Sequence, residues 1–242
     1  NLHHLYSRNK QGWFPWLFEQ LQLQPGMDIL ELGCGNGALW QENLEALPDQ
    51  IRVCLTDVSE GMIRDARRQL PAGDQRFSFA TMDAQCPDAA DGSYDLVIAN
   101  HVLFHCRDIS GVCAEVKRVL KKNGVFFCST YGPKHMLEMN RLVQEFDSHI
   151  VLSSEKLYER FGLDNGEDLL RPYFSSIRML RYDDELLINK PEPLIEYIMS
   201  CHGNQNQYIR ERYLEFRSFV EEKTRSEFRI TKDAGVFICV NT

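Results

Sequence analysis

The sequence predicts an α/β fold in which a seven-stranded, mostly parallel sheet carries helices on both faces. Short apolar runs alternate with amphipathic helical stretches up to residue 131, which is the order expected for a parallel sheet. The run YDLVIA at 94–99 is almost continuously apolar, as a strand covered on both faces should be. Two further apolar runs follow a long helical stretch and complete the predicted seven strands.

Local signals place the individual elements. Residues 13–23 put apolar groups on one helical face, and Pro25 with Gly26 ends that helix before the first strand at 29–32. Another helix begins after the N-cap residue Ser59 and ends before Pro71. Asn123 and Gly124 are predicted to turn the chain between a helix and a strand. The other predicted strands are 52–56, 77–81, 94–99, 125–131, 175–182 and 235–241, and the other predicted helices are 38–47, 109–121, 135–149 and 207–221.

The length favours a single domain over residues 1–242, because domains average about 150 residues. We expect residues 1–24 to form a helical cover and 25–132 to form the ligand-binding half. The remaining part, 133–242, is expected to be the substrate half. Within it, 184–232 is expected to be a helical cap over the carboxyl end of the sheet, where open α/β sheets bind ligands.

Composition excludes several classes of protein. The chain is 43% hydrophobic and 26% charged, which is typical of a folded globular protein. A formal net charge of -8 disfavours nucleic acid as a partner. No window approaches the ~18 apolar residues of a membrane span and no secretory signal is recognisable, so we expect a cytoplasmic protein that does not bind membranes. The eight cysteines contain no CxxC pair and are expected to be reduced and buried.

A glycine-rich turn carries the strongest functional signal. GCGNGA at 33–38 follows a strand and opens a helix, which is the setting of a nucleotide-binding turn. Asp57 ends the second strand, where a carboxylate can accept both hydroxyls of a ribose, and Asp83 follows the third strand. The turn and Asp57 would equally suit a dinucleotide, so an NAD(P)-dependent oxidoreductase remains an alternative. Asp83 is less expected for a dinucleotide and suits an adenine amino group.

Five segments together resemble one family. ELGCGNG, LTDVS with Met62 after it, MDAQ, YDLVIANHVLFH and RVLKKNGVFFCSTYG are similar to successive motifs of the class I S-adenosylmethionine-dependent methyltransferases, over about residues 25–132. The resemblance implies a Rossmann-like sheet whose last strand is antiparallel, and S-adenosylmethionine as the cofactor. The cofactor-binding residues that it implies are Glu31, Gly33, Cys34, Gly35, Asn36, Gly37, Asp57, Val58, Met62, Asp83, Ala84, Asn100 and His101.

In that assignment the residues have separate roles. Glu31 and the turn at 33–37 would face the methionine moiety, Asp57 the ribose, and Asp83 the adenine amino group. Met62 and Ala84 would contact the faces of the adenine, whereas Asn100 and His101 would lie beside the sulfonium. Tyr6 and Trp13 are candidates for closing over the cofactor, and packing against the sheet explains them equally well.

Methyl transfer from a sulfonium depends mainly on alignment of the reacting atoms, so a covalent intermediate is not implied. We expect a small-molecule acceptor. If it must lose a proton, His105, Tyr131 and His135 are the candidate bases, because all three follow strands at the carboxyl end of the sheet. No metal is expected, since the acidic run 183–185 is interpreted as a solvated turn and no CxxC or HExxH occurs. A non-catalytic cofactor-binding module is a further alternative.

The segment Ala99-Asn100-His101-Val102 stands where some enzymes that methylate nucleobases or glutamine amides carry an NPPY-like tetrapeptide. Its absence argues against those two acceptor classes. The acceptor itself, the atom methylated and the oligomeric state are left open by the sequence.

Overall fold

The computed structural model describes residues 2–242 and contains one seven-stranded sheet with the strand order β3-β2-β1-β4-β5-β7-β6. The strands are β1 (Asp28–Leu32), β2 (Arg52–Asp57), β3 (Phe77–Thr81), β4 (Tyr94–Asn100), β5 (Leu120–Tyr131), β6 (Ser176–Ile188) and β7 (Phe228–Val240). The first five strands pair in parallel, so their carboxyl ends lie at one edge. β7 pairs antiparallel to β5, from Val125 opposite Val240 to Tyr131 opposite Ala234. The predicted sheet is therefore confirmed.

Helices connect the strands as the alternating pattern predicts. Ser59 caps the fourth helix, where its Oγ accepts a hydrogen bond of 3.3 Å from the Met62 N–H. The helices are α1 (Leu2–Tyr6), α2 (Trp13–Leu21), α3 (Ala38–Gln41), α4 (Glu60–Gln69), α5 (Ile109–Val119), α6 (Leu137–Phe146), α7 (Leu157–Arg160), α8 (Gly166–Leu170), α9 (Pro191–Ser200), α10 (Gln205–Ile209) and α11 (Tyr213–Thr224). The helix α1 lies within the expected helical cover 1–24, whereas α7 and α8 have no counterpart among the predicted elements.

The chain forms two compact units, each with its own apolar core. Unit 1 contains the described residues of Asn1–Gly12 together with Pro133–Lys156 and Tyr182–Asp233. Unit 2 contains Trp13–Gly132, Leu157–Arg181 and Ala234–Thr242. In unit 2, two clusters of apolar side chains are buried by β1, β4, β5 and the helices that flank them. In unit 1, side chains of α6, α9 and α11 are buried together with the ends of β6 and β7.

The predicted bounds of the helical cap, 184–232, are wrong at both ends. β6 continues to Ile188 and β7 begins at Phe228, so the helices occupy only the part between them. The acidic run 183–185, interpreted as a solvated turn, lies within β6. Asp184 is buried there, and two contacts offset the cost of burying its charge. The Lys232 Nζ lies 3.1 Å from its Oδ2, and the Ser7 Oγ donates to the same carboxylate at 2.8 Å. A paired carboxylate can occupy a buried position that a sequence pattern assigns to a turn.

The junction between α5 and β5 also differs from the prediction. α5 ends at Val119 and β5 begins at once, so Asn123 and Gly124 lie inside a strand rather than in a turn before it. Asn123 has a φ of 64° and donates its N–H to the Asn241 carbonyl at 2.6 Å. The Asn241 N–H donates in turn to the Gly124 carbonyl at 2.9 Å. These two bonds, made by a residue far along the chain, extend the strand through the predicted turn.

Two further expectations concern the whole chain. All eight cysteines are free thiols, but Cys86 is exposed and Cys54 and Cys201 are half-buried, so the expectation that all are buried is wrong for three of them. Among residues 2–242, no helix is long and apolar enough to span a bilayer.

Candidate cofactor and acceptor site

The turn after β1 brings backbone groups to the carboxyl edge of unit 2. Gly33 and Gly35 have φ values of 66° and 54°, a region that side chains strongly disfavour. A side chain at Gly33 would collide with Val102, so this glycine is required by packing. At Gly35 a Cβ would meet no atom within 4 Å, so the backbone there faces open space. This space allows a ligand to approach the main chain directly.

Asp57 is fixed beside this open backbone. Its Oδ2 accepts the Gly35 N–H at 3.0 Å and its Oδ1 accepts the Ser59 N–H at 2.8 Å. A carboxylate offers about four lone-pair positions, so the two oxygens keep acceptor capacity for a ligand. The half-buried Asp57 therefore links β2 to the glycine turn and presents acceptors at the same edge.

The next strand continues the edge. Asp83 follows β3, is exposed, and accepts the Gln85 N–H through its Oδ1 at 2.9 Å. Val58 and Met62 are apolar but 70% and 43% exposed, whereas Ala84 is buried. Since β3, β2 and β1 are parallel neighbours in the sheet, the two carboxylates and this exposed apolar surface lie at the same edge as the glycine turn.

Other predicted cofactor-binding residues of this region make contacts within the protein itself. Cys34 is buried, and burial together with nearby Glu31 and Asp57 raises the pKa of its thiol. The Asn36 Oδ1 accepts the Ala38 N–H at 3.3 Å, which stabilises the entry of α3. The fully enclosed carboxylate of Glu31 accepts the indole N–H of Trp40 at 2.6 Å. Burial raises the pKa of Glu31 to about 7. The hydrogen bond from Trp40 lowers this pKa, and the negative charge of Asp57 raises it further.

Glu31→Gln is expected to flatten the pH dependence of the free energy of unfolding. The pKa of Glu31 is about 7 in the folded protein against 4.5 in a model peptide, so its contribution is full below the unfolded value and is lost as the pH rises to about 7. At ~1.4 kcal/mol per pKa unit, the loss is on the order of 3 kcal/mol. The glutamine can still accept the Trp40 N–H. Urea unfolding of both proteins from about pH 5 to pH 8 measures the difference, and equal slopes would refute it.

An aromatic stack lies where β4 and β5 end. His101 has a φ of 56° and its ring lies between Trp13 and Tyr131, with ring centroids 5.2 Å and 4.1 Å away. Trp16 stacks on Trp13 at 5.5 Å, and Phe104 contacts the Tyr131 ring at 5.7 Å. A residue held at positive φ by packing is frequently part of a functional site. The stack gives unit 2 an aromatic surface at the carboxyl edge.

Hydrogen bonds behind this stack join the two strands. The His101 backbone N–H donates to the Ser129 Oγ at 3.0 Å, and this hydroxyl donates to the Asn100 Oδ1 at 2.5 Å. Ser129 is fully buried, whereas Asn100 is half-buried. Asn100 and Ser129 face each other in the register of β4 and β5. The side-chain amide of Asn100 is thereby held in one orientation.

Comparison with known proteins finds a match to the part of the chain that forms this edge of the sheet. A family model described as a methyltransferase domain matches residues 30–128, which contain the glycine turn, Asp57, Asp83, Asn100 and His101. Residues 30–128 are a methyltransferase domain, and the resemblance of this part of the chain is to the class I S-adenosylmethionine-dependent methyltransferases. The resemblance found in the sequence is therefore confirmed.

Relatives extend the match beyond this methyltransferase domain. A malonyl-[acyl-carrier protein] O-methyltransferase of Methylovorus sp. is 27% identical over 207 residues, which are 80% of this chain and 66% of that protein. The enzyme with the same description from Acetivibrio thermocellus is 32% identical over 141 residues, or 56% of this chain and 47% of its own length. The chain thus spans less than two thirds of the length of these relatives.

A solved structure shows the same fold. The phosphoethanolamine N-methyltransferase 2 of Haemonchus contortus, in complex with S-adenosyl-L-methionine, superposes with a TM-score of 0.59 at 17% identity. The match covers 95% of this chain and 52% of that protein. At this identity the likeness establishes the methyltransferase fold alone.

The three candidate bases of the methyltransferase lie in different surroundings. His105 is exposed at the end of a short 3-10 helix, where its ring contacts Phe104 at 4.7 Å. Tyr131 lies in the aromatic stack of the same unit. His135 belongs to unit 1, where burial of its ring, with His3 and Lys232 nearby, lowers its pKa to about 3. Tyr6 also lies in unit 1, whereas Trp13 lies in unit 2.

Sequence reasoning missed several members of this site. The predicted site lacks Ser129, Trp16 and Phe104, although Ser129 lies within the predicted strand 125–131, two residues before its end. Among residues 2–242, no group of three or more His, Cys, Asp or Glu side chains is arranged to hold a metal ion.

Proposed function

We propose that this chain transfers the methyl group of S-adenosylmethionine to a small-molecule acceptor. The observation that carries the proposal is the open, positive-φ backbone at Gly35, bonded to an Asp57 carboxylate that keeps acceptor capacity. An adenosine with an amino-acid tail matches this combination of bare backbone, ribose acceptor and exposed apolar surface. The match of residues 30–128 to a methyltransferase domain and the similarity to the relatives support the same assignment.

Each residue at the edge has a part in holding the cofactor. Residues 33–37 would bind the methionine moiety with Glu31 behind them, and Asp57 would accept the ribose hydroxyls. Asp83 would accept the adenine amino group, and the apolar side chains near it would cover the ring. Those side chains are Val58, Met62 and Ala84. Asn100 and His101 would lie beside the sulfonium.

Bound S-adenosylmethionine would supply a methyl group that is already activated by its positive sulfur. The protein then has to align the acceptor with that methyl group and exclude water, an effect worth about 7 to 11 kcal/mol in well-oriented systems. The aromatic stack around His101 is suited to excluding water. His105 is the proposed orienting residue or base, since a pKa of about 3 makes His135 a weak base at neutral pH.

Calorimetry and an acceptor screen test this function. S-adenosylhomocysteine should bind to the wild-type chain, whereas NAD should not. The screen follows S-adenosylhomocysteine release and includes a malonyl thioester, because relatives are malonyl-[acyl-carrier protein] O-methyltransferases. Tight binding of NAD without binding of S-adenosylhomocysteine would instead establish a nicotinamide enzyme. Cofactor binding without release over the whole panel would favour a non-catalytic module.

His105→Ala is expected to lower kcat for an acceptor that must lose a proton by about 10²- to 10⁴-fold, the usual contribution of a general base. The affinity for S-adenosylhomocysteine should stay close to that of the wild type, because the exposed ring of His105 contacts Phe104 rather than the glycine turn. Steady-state kinetics and calorimetry measure the two quantities. An equal loss of both would show that His105 only shapes the site.

A further inference from the structure

The side-chain amide of Asn100 has a defined orientation. The Ser129 Oγ lies 2.5 Å from the atom of Asn100 that faces it, assigned as Oδ1. O–H···O hydrogen bonds extend down to about 2.5 Å, whereas N–H···O bonds begin at about 2.7 Å. The short contact, with the Ser129 hydroxyl already accepting the His101 N–H, favours the orientation in which the oxygen of the amide faces Ser129.

The nitrogen of the same amide is consequently available to donate hydrogen bonds to a ligand. Within residues 2–242, the Asn100 Nδ2 makes no hydrogen bond to another protein atom, and it is not a buried atom. Asn100 ends β4 at the carboxyl edge, one residue before His101 in the aromatic stack. Two N–H groups are thus presented at the edge on which the methyl donor is proposed to lie.

The surroundings keep this donor in place. Trp13 and Tyr131 clamp the His101 ring, which fixes the backbone N–H that donates to Ser129. With this N–H on one of its lone pairs, the Ser129 hydroxyl directs its proton to the Asn100 Oδ1. Ser129 is therefore a positioning residue for Asn100.

We propose that the Asn100 Nδ2 group binds an anionic oxygen of the methyl acceptor, so that the acceptor is an oxyanion such as a carboxylate rather than an amine. The proposal rests on the proposed function. An N–H group repels an ammonium group of an acceptor and attracts a negatively charged oxygen. Had the amide oxygen faced outward instead, an amine acceptor would have been favoured.

The transfer balances without an additional reagent. An oxygen lone pair of the acceptor forms the new C–O bond, while the S–CH3 bond breaks and its electron pair stays on sulfur. The negative charge of the acceptor cancels the positive charge of the sulfonium. An acceptor that is already ionised has no proton to lose, and His105 would then orient it without acting as a base.

The test uses the wild-type chain loaded with S-adenosylhomocysteine and labelled with 15N. The side-chain NH2 signals of Asn100 are assigned by their absence in Asn100→Asp. Titration with sodium malonate should shift these signals, whereas sodium chloride at equal ionic strength and ethylammonium chloride should not. In Ser129→Ala the two signals should move toward the positions typical of a solvent-exposed Asn side chain that reorients about its Cβ–Cγ bond, because the hydrogen bond that orients the amide group is lost.

The acceptor screen supplies the second measurement. Asn100→Asp replaces the donor with a negatively charged acceptor of nearly the same shape, so kcat/KM for oxyanions should fall about 10- to 100-fold, the range for a lost bond to a charged group. Calorimetry with S-adenosylhomocysteine on the same variant separates a loss of acceptor turnover from a loss of cofactor binding.

Three results would overturn the inference while methyl transfer stands. The Asn100 signals could stay unchanged with malonate, or respond fully to S-adenosylhomocysteine alone, which would make the donor a cofactor contact. Turnover of amines in preference to oxyanions would also contradict it. Failure of S-adenosylhomocysteine to bind the wild type would instead refute the proposed function, and the inference with it.

Discussion

Asp57→Ala is expected to weaken S-adenosylhomocysteine binding by at least about 100-fold, which is the loss expected for two hydrogen bonds to a charged group. The substitution removes the acceptor for the Gly35 and Ser59 N–H groups, now 3.0 Å and 2.8 Å from its oxygens. It therefore removes the proposed ribose contact and loosens the glycine turn at the same time. Calorimetric titration of both proteins measures the loss.

A matched control separates this effect from a general effect of charge. Asp65 is an exposed carboxylate on α4 of the same unit and pairs with Arg68 at 3.6 Å. Asp65→Ala should leave the affinity for S-adenosylhomocysteine unchanged. If Asp57→Ala retains its circular dichroism spectrum and binds as the wild type does, Asp57 has no part in the cofactor site.

Lys232→Met is expected to destabilise the protein by about 3 to 5 kcal/mol, the cost of leaving a buried carboxylate without its charged partner. The side chains of Asp184 and Lys232 are only 0% and 11% exposed, so water cannot replace the lost ammonium. The Ser7 hydroxyl and the N–H groups of Asn9 and Glu185 would remain as neutral donors to Asp184. Urea unfolding measures the difference in free energy.

The double variant Asp184→Leu with Lys232→Met should recover much of this loss, since apolar side chains often replace a buried ion pair at little cost. The exposed pair Arg171 and Glu167 provides a control, and Arg171→Met should change stability by less than about 1 kcal/mol. A double variant that is no more stable than Lys232→Met would show that the hydrogen bonds to Asp184, rather than its charge, decide the outcome.

The parts of the fold that depend on local patterns could be predicted from the sequence. Buried parallel strands, an N-cap such as Ser59 and the glycine turn all leave signals within a few residues. The extension of β6 could not be predicted, because the burial of Asp184 depends on Lys232, 48 positions along the chain. The continuation of β5 through Asn123 likewise depends on Asn241.

In the candidate site, too, some residues could be predicted from local sequence and others could not. Asp57 ends β2 and Asp83 follows β3, so their placement at one edge follows from a parallel sheet. The contact of Trp13 with His101 joins a helix to the end of β4, and no periodicity indicates it. The bond between Ser129 and Asn100 requires the register of β4 against β5, which only the folded sheet supplies.

The assembly of unit 1 from three separate stretches of chain limits how its sequence can be exchanged. Its core draws on Leu2, on α6 and on α9 to α11, together with the ends of β6 and β7. A chimera that replaced only the stretch 182–233 by that of a homologue would therefore mix side chains that had never packed together. All three stretches have to be transplanted jointly for a hybrid enzyme to fold.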